Sequence, residues 1–483
     1  MKNWLAKYQS LPIQVKASIW FLACSFLQKG IAVISTPIFT RLMTAEEYGN
    51  YNVFNSWLTI ITIFVTLRLY HGVYVQGLVK FEEDQKRYSS SMQGLHFSLC
   101  LIWTVLYLLL CDFWNALFSL TTVQMLAMLV MIWATGVFTF WVQEQRVNLN
   151  YKELVVVTIL ISLFKPIIEV IFVLLADDKV TARILGVTLI EVIGYSGFYF
   201  IQMRNGKQFF SPKYWVYALK FNVPLVPHYL SMTVLNSADR IMIKDMIGAA
   251  EAGIYSLSYS VSLVMILFNQ ALLQTVMPWM YKKIKTRRVE EIANIAYLSL
   301  GLIAIVNLFL IAFAPEVVAI FAPKSYYDAI WIIPPVAMSV FFMYAYNLFA
   351  NFEFYFEKSR FIVTASIVGA ILNIILNYIF IRAYGYYAAG YTTLLCYILF
   401  ALGHYFFMVK ICEQQLDNVV VYKKQILLKI TFLFIAIGFM LLYFYTNNYL
   451  RYAVIILAIV YLIRNKSILM EKFQLLKRVR GEK

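Results

Sequence analysis

Fourteen runs of mainly apolar residues, most of them about 20 long, leave few folds open to this chain. They lie at roughly 17–39, 50–70, 94–116, 121–142, 154–176, 183–203, 219–242, 253–280, 292–313, 328–350, 360–381, 386–409, 425–445 and 449–463, the last being short. A helix rises about 1.5 Å per residue, so about 20 residues cross the roughly 30 Å hydrocarbon core of a bilayer. Burial in a soluble core offers no alternative. Hydrophobic residues make up 62% of the 483 and charged ones 14%, against about 45–50% and about 25% in ordinary soluble domains. The expected fold is all-α: a polytopic membrane helix bundle of about 14 transmembrane helices. No loop between the runs exceeds about 25 residues, too few for a soluble catalytic domain.

The net charge of +16 would suggest nucleic acid in a soluble protein. Here the basic residues sit in loops between apolar runs, and the partner they point to is anionic membrane lipid, not nucleic acid. Lys and Arg accumulate in cytoplasmic loops. With the N-terminus inside, 30 of the 41 fall on the inner side and eight on the outer (Arg41, Lys179, Arg183, Arg240, Lys244, Lys324, Arg382, Arg451), leaving Lys29, Lys165 and Lys429 within spans. That split places both termini in the cytoplasm. The stretch 1–16 lacks a cleavable signal pattern and is expected to be retained. The tail from Arg464 reads as a basic amphipathic segment on the inner leaflet.

Enzymatic constellations are missing from the sequence. It contains no P-loop, GxSxG or HExxH, no GxGxxG after a strand, and its four histidines (His71, His96, His228, His404) are dispersed. The five cysteines (Cys24, Cys100, Cys111, Cys396, Cys412) have neither metal-site nor disulfide spacing. No cofactor or metal is expected, and nucleotide hydrolysis within the chain cannot supply energy. A transporter is the better reading.

One local pattern occurs twice. Ala45-Glu46-Glu47-Tyr48-Gly49-Asn50-Tyr51 follows the first run, and Ala249-Ala250-Glu251-Ala252-Gly253-Ile254-Tyr255, 204 residues later, follows the seventh, with four of seven positions identical. Six spans separate the copies, so both halves face the same way, a parallel repeat with its axis along the membrane normal. The expected organisation is a six-helix lobe over 1–203, a second over 204–412, and two extra helices plus the tail over 413–483.

Several runs carry polar residues at helical spacing: Ser25, Lys29, Thr36 and Thr40 in the first, Asn52, Asn55, Thr59, Thr62 and Thr66 in the second, Thr158, Ser162, Lys165 and Glu169 in the fifth. The sixth adds Thr188, Glu191 and Tyr195, and the seventh His228, Ser231, Asp239 and Arg240. Such stripes fit either a shared hydrated cavity or hydrogen bonding between packed helices. A charge in mid-membrane costs several kcal/mol and normally faces a cavity or a partner. Lys29 and Lys165 are the mid-span cations. Lys165 is open to substrate or to an internal pair with Glu169, one turn on, and Glu191 is an alternative partner for Lys29. Arg41 and Arg240, near the outer end, are snorkelling anchors or an outer gate. His228 reads as a core histidine.

The segment Ser35-Thr36-Pro37-Ile38-Phe39-Thr40-Arg41-Leu42-Met43-Thr44-Ala45-Glu46-Glu47-Tyr48-Gly49-Asn50-Tyr51 resembles the first-helix signature of polysaccharide repeat-unit flippases. These are the Wzx-type members of the multidrug/oligosaccharidyl-lipid/polysaccharide exporter superfamily; Ala45 replaces the proline common in their motif. The resemblance implies two six-helix lobes, alternating access, and as substrate an undecaprenyl-diphosphate-linked oligosaccharide flipped to the outer leaflet for capsule, exopolysaccharide or O-antigen assembly. Polysaccharide polymerase machinery is a further implied partner. Lys29 and Lys165, with Arg41 and Arg240, are then the expected contacts to the diphosphate, and Glu169, Glu191 and Asp239 the acidic candidates for ion coupling. A cation or drug antiporter of the same superfamily is the alternative, though its path should be dominated by acidic residues. A polytopic polymerase is a more distant one, since it usually carries a large external loop or an acidic metal motif.

Overall fold

The computed structural model describes residues 12–467 and Met470. The basic tail beyond residue 470 and the N-terminal residues 1–11 lie outside the described residues. All fourteen apolar runs are helical, and no strand occurs among the described residues. In chain order the helices are α1 (Ile13–Leu42), α2 (Ala45–Thr66), α3 (Val73–Lys80), α4 (Gln85–Leu109), α5 (Cys111–Phe118), α6 (Thr122–Val147), α7 (Tyr151–Leu175), α8 (Lys179–Gly206) and α9 (Pro212–Asn222). They continue as α10 (Val226–Met246), α11 (Ala249–Lys285), α12 (Glu290–Ala312), α13 (Ala314–Phe321), α14 (Ile333–Tyr355), α15 (Ser359–Tyr384), α16 (Ala388–Gln415), α17 (Lys424–Tyr443) and α18 (Asn448–Arg464).

Eleven of these stretches are long and apolar enough to cross a membrane on length and composition alone. The other three expected spans are α2, striped with Asn and Thr, the polar α10, and α18, which has only 17 residues. Three boundaries differ from the hydropathy reading, the seventh run (219–242) being split by a 3-10 turn over Val223–Leu225 between α9 and α10. The third run breaks at Leu110 into α4 and the short α5, and α14 of the tenth run starts at Ile333 after a 3-10 stretch over Lys324–Trp331. Hydropathy registers apolar length and misses such breaks.

The chain divides into two compact units, Met1–Ile241 and Met242–Lys483. In the first, Tyr70, Tyr74, Tyr88, Phe140 and Tyr214 form a buried aromatic cluster, while Phe138 stacks on Tyr195 at 4.2 Å between α6 and α8. In the second, α14 is the central helix, with 83% of its spanning window buried. Its Phe341, Ala345 and Phe349 pack with Leu394, Tyr397 and Ala401 of α16.

The repeated sequence pattern marks equivalent helix starts. α2 begins at Ala45 and α11 at Ala249. Gly49 and Tyr51 occupy the fifth and seventh positions of one, Gly253 and Tyr255 those of the other, and all four are buried. Thr44 caps α2 in a capping box: its hydroxyl accepts from Glu47 N, and Glu47 accepts from Thr44 N at 2.7 Å.

Candidate functional site

Within the first unit, α7 and α8 run antiparallel and close together. A Cβ at Gly186 would stand 3.2 Å from the Glu169 Cα, a contact that a larger residue would push apart. This approach sets the register of two ion pairs inside the membrane span. Lys165 Nζ donates to Glu191 Oε1 at 2.6 Å, and Arg183 Nε donates to Glu169 Oε2 at 3.0 Å. Thr135 of α6 donates to the other Glu191 oxygen at 3.1 Å.

The guanidinium of Arg183 lies against two rings of the first-helix signature, 3.5 Å from the Phe39 centroid and 3.7 Å from that of Tyr51. Its Nη1 also approaches Met43 Sδ at 3.8 Å. Nearby, Lys179 donates to the Leu42 carbonyl at 2.7 Å, holding the start of α8 to the end of α1. Phe39, Met43 and Tyr51 thus form an apolar and aromatic socket for a buried cation, the setting in which cation–π attraction is strongest.

Two expectations need correction. Glu169 does not pair with Lys165, its neighbour one turn along α7; Lys165 takes Glu191 across the helix interface, and Glu169 takes Arg183. The antiparallel register decides this, because each carboxylate faces the opposite helix and not its own. Arg183, one of the eight basic residues assigned to the outer side, is instead a buried member of the site. The available signal was Asp178, whose carboxylate accepts from Thr181 N at 3.0 Å and starts α8 one turn before the apolar run.

The other candidates are more dispersed. Lys29 sits midway along α1 and is half-buried. Arg41 donates to the Pro37 carbonyl at 2.8 Å and Arg240 to that of Asn236 at 3.1 Å, each an i−4 contact on its own helix. Asp239 is buried beside Arg240. The polar stripes of α1 and α2 are satisfied largely along their own helices: Ser25, Thr36, Asn52, Asn55, Thr59, Thr62 and Thr66 each donate to the carbonyl four residues earlier. That lets polar side chains occupy a span at little cost.

Exposure distinguishes the charges. The Glu191 and Glu169 side chains are 8% and 7% exposed, whereas Lys165 retains 34%. The reachable member of the Lys165–Glu191 pair is therefore the cation. Arg146, at the end of α6, adds a further exposed cation and lies 5.7 Å from the Phe21 ring of α1; the hydropathy pattern assigns it only to a loop.

Residues 15–284, more than half of the chain, match the family described as polysaccharide biosynthesis protein. The chain belongs to that family. A Haemophilus influenzae protein named for the Lsg locus is 26% identical over 211 residues, 41% of this chain and 51% of the relative. The chain therefore spans about half the length of that relative. Among solved structures, the lipid II flippase MurJ in an inward closed conformation superposes with a TM-score of 0.68 at 14% identity, covering 94% of this chain and 100% of MurJ. An inward-facing multidrug resistance transporter of the MATE family, in the MOP superfamily, gives 0.62 at 13% identity, covering 81% and 96%. At such identities the superpositions show the fold alone, one shared with these two multi-pass membrane proteins. The resemblance drawn from Ser35–Tyr51 holds at the level of family and fold.

Proposed function

We propose that this polysaccharide biosynthesis family protein is a flippase of the cytoplasmic membrane, moving an undecaprenyl-diphosphate-linked oligosaccharide from the inner to the outer leaflet by alternating access. Its substrate-handling lobes correspond to 1–203 and 204–412, with 413–483 as the addition, and both termini lie in the cytoplasm. Polymerase machinery receives the product.

The observation carrying this reading is the polarity of exposure at the site. Glu169 and Glu191 are covered and neutralised by Arg183 and Lys165, while Lys165, Lys29 and Arg146 remain at least partly accessible. A path whose reachable charges are positive favours a diphosphate and disfavours a cationic drug. A lipid-linked substrate can leave its polyprenyl tail in the bilayer, so only the polar head needs this surface. Arg41 and Arg240 would meet the head nearer the outer side.

Lys29 provides the test. Lys29→Ala and Lys29→Arg are expressed in a host lacking its own repeat-unit flippase, and protein level and surface polysaccharide are measured together. Expected are normal protein in both, lost polymer with Ala and partial recovery with Arg. Normal polymer from Lys29→Ala at normal protein level removes Lys29 from the path. Export of a cationic dye by wild type, without polymer, would support the antiporter instead.

A further inference from the structure

Deep in the second unit, a carboxylate and an imidazole meet, with no other charged group bonded to them among the described residues. Glu353, in the last turn of α14, and His404, in the middle of α16, are 0% and 1% exposed, with Glu353 Oε1 2.7 Å from His404 Nδ1. The two outer atoms of the pair, Glu353 Oε2 and His404 Nε2, are buried without a hydrogen-bond partner. The imidazole is boxed by rings: Phe400 at 4.5 Å on its own helix, Tyr346 of α14 at 5.5 Å and Phe361 of α15 at 5.5 Å. Among the described residues, no other ionisable side chain is hydrogen-bonded to either partner.

The charged groups at this end of the unit are engaged elsewhere or point outward. Glu357, Lys358 and Arg360 of α15 and the turn before it, Lys410 and Glu413 of α16, and Lys424 and Lys429 of α17 are all exposed. Lys283 of α11 pairs with Glu291 of α12 at 2.6 Å. The titratable neighbours within the box reduce to the Tyr346 hydroxyl. Ion-pair stability is a poor explanation for such a pair, since burying it costs more desolvation than an apolar replacement would, and two orphaned polar atoms add to that cost.

We infer that Glu353 and His404 form a proton-binding site that takes up and returns one proton in each transport cycle; what the proton drives rests on the flippase reading above. Loaded, the pair holds two protons, one in the Nδ1–Oε1 bridge and one on Nε2, and is neutral overall. Release breaks the Nε2–H bond, delivers the proton to water and leaves Nδ1–H donating to the carboxylate, with one net negative charge. Uptake re-forms Nε2–H. The negative state is unfavourable inside the aromatic box, so release requires a conformation that admits water to the pair. Proton exchange is thereby tied to conformational change, which coupling demands. Neither Glu169 nor Glu191 fits this role as well, because each is already bonded to a basic side chain, Arg183 and Lys165 respectively.

The test uses the full-length protein in liposomes with 15N-labelled histidine. Solid-state NMR follows the ring nitrogens between about pH 5 and 8, and His404→Gln identifies the His404 signals among the four histidines. The expected result is a change of protonation at His404 within that range, with a midpoint displaced in Glu353→Gln. A His404 ring that keeps one state throughout overturns the proposal, and the wild-type spectra alone decide this if Glu353→Gln does not fold. In vesicles supplied with lipid-linked glycan, an imposed pH gradient should speed wild-type transfer several-fold, an acceleration lost in Glu353→Gln. Equal acceleration in the variant also overturns it. If wild type moves no glycan at all, the flippase reading falls, while the NMR titration still decides the proton site.

Discussion

Replacing Arg183 by Met isolates the value of the buried pair. The substitution keeps much of the side-chain volume beside Phe39 and Tyr51, but leaves the Glu169 carboxylate, 7% exposed, without its bonded cation. Stranding one member of a buried pair costs about 3–5 kcal/mol. For a unit of about this size, with roughly 2–4 °C of melting temperature per kcal/mol, the expected drop is about 10 °C. The double variant Arg183→Met/Glu169→Leu removes both charges and should regain most of the loss, since a buried pair replaced by apolar groups is often close to neutral. The buried free cysteines Cys24, Cys100, Cys396 and Cys412 supply the assay: a thiol-reactive fluorophore reports unfolding of the purified protein on heating. Additive losses in the double variant would refute the argument, because they would show that Arg183 stabilises the fold by something other than neutralising Glu169.

Three further outcomes are expected. Gly186→Leu should separate α7 from α8, because the new Cβ meets the Glu169 backbone at 3.2 Å; it should lower protein level more than Gly197→Leu, where nothing lies within 4 Å, and equal levels would remove Gly186 as the spacer. His71 lies in the loop between α2 and α3, and burial, with Arg68 and Arg146 adding to it, pushes its imidazole down to about 4. The unfolded chain then binds the extra proton first, so the contribution of His71 is complete above its ordinary value of about 6.5 and is lost as pH falls from there toward 4; His71→Gln should flatten the decline in thermal stability between about pH 7 and 5. Reporter fusions after Lys220 and Arg288 should read cytoplasm and those after Asp178 and Lys324 the outside, an external signal at Arg288 sinking the fourteen-span topology.

The sequence by itself determined the helices and the family. Apolar runs long enough to span a bilayer leave the backbone no way to satisfy its hydrogen bonds except helically, and every run is largely helical, though some are broken. The repeated Gly49/Tyr51 and Gly253/Tyr255 positions were legible because they depend on a register shared by the two copies. The identity of the mid-span charges was legible too, because a Lys or Glu inside an apolar run stands out. Their partners were not. Lys165 has Glu169 one turn away yet bonds Glu191, and Glu169 bonds Arg183, because the approach of α7 and α8 at Gly186 sets which side chains meet. Glu353 and His404 lie 51 residues apart on different helices, and neither belongs to a polar stripe noted in the sequence. Periodicity reports which face of a helix is polar, whereas ion pairing depends on the axial register and separation of two helices. Side-chain packing fixes those distances, and only the tertiary structure decided them.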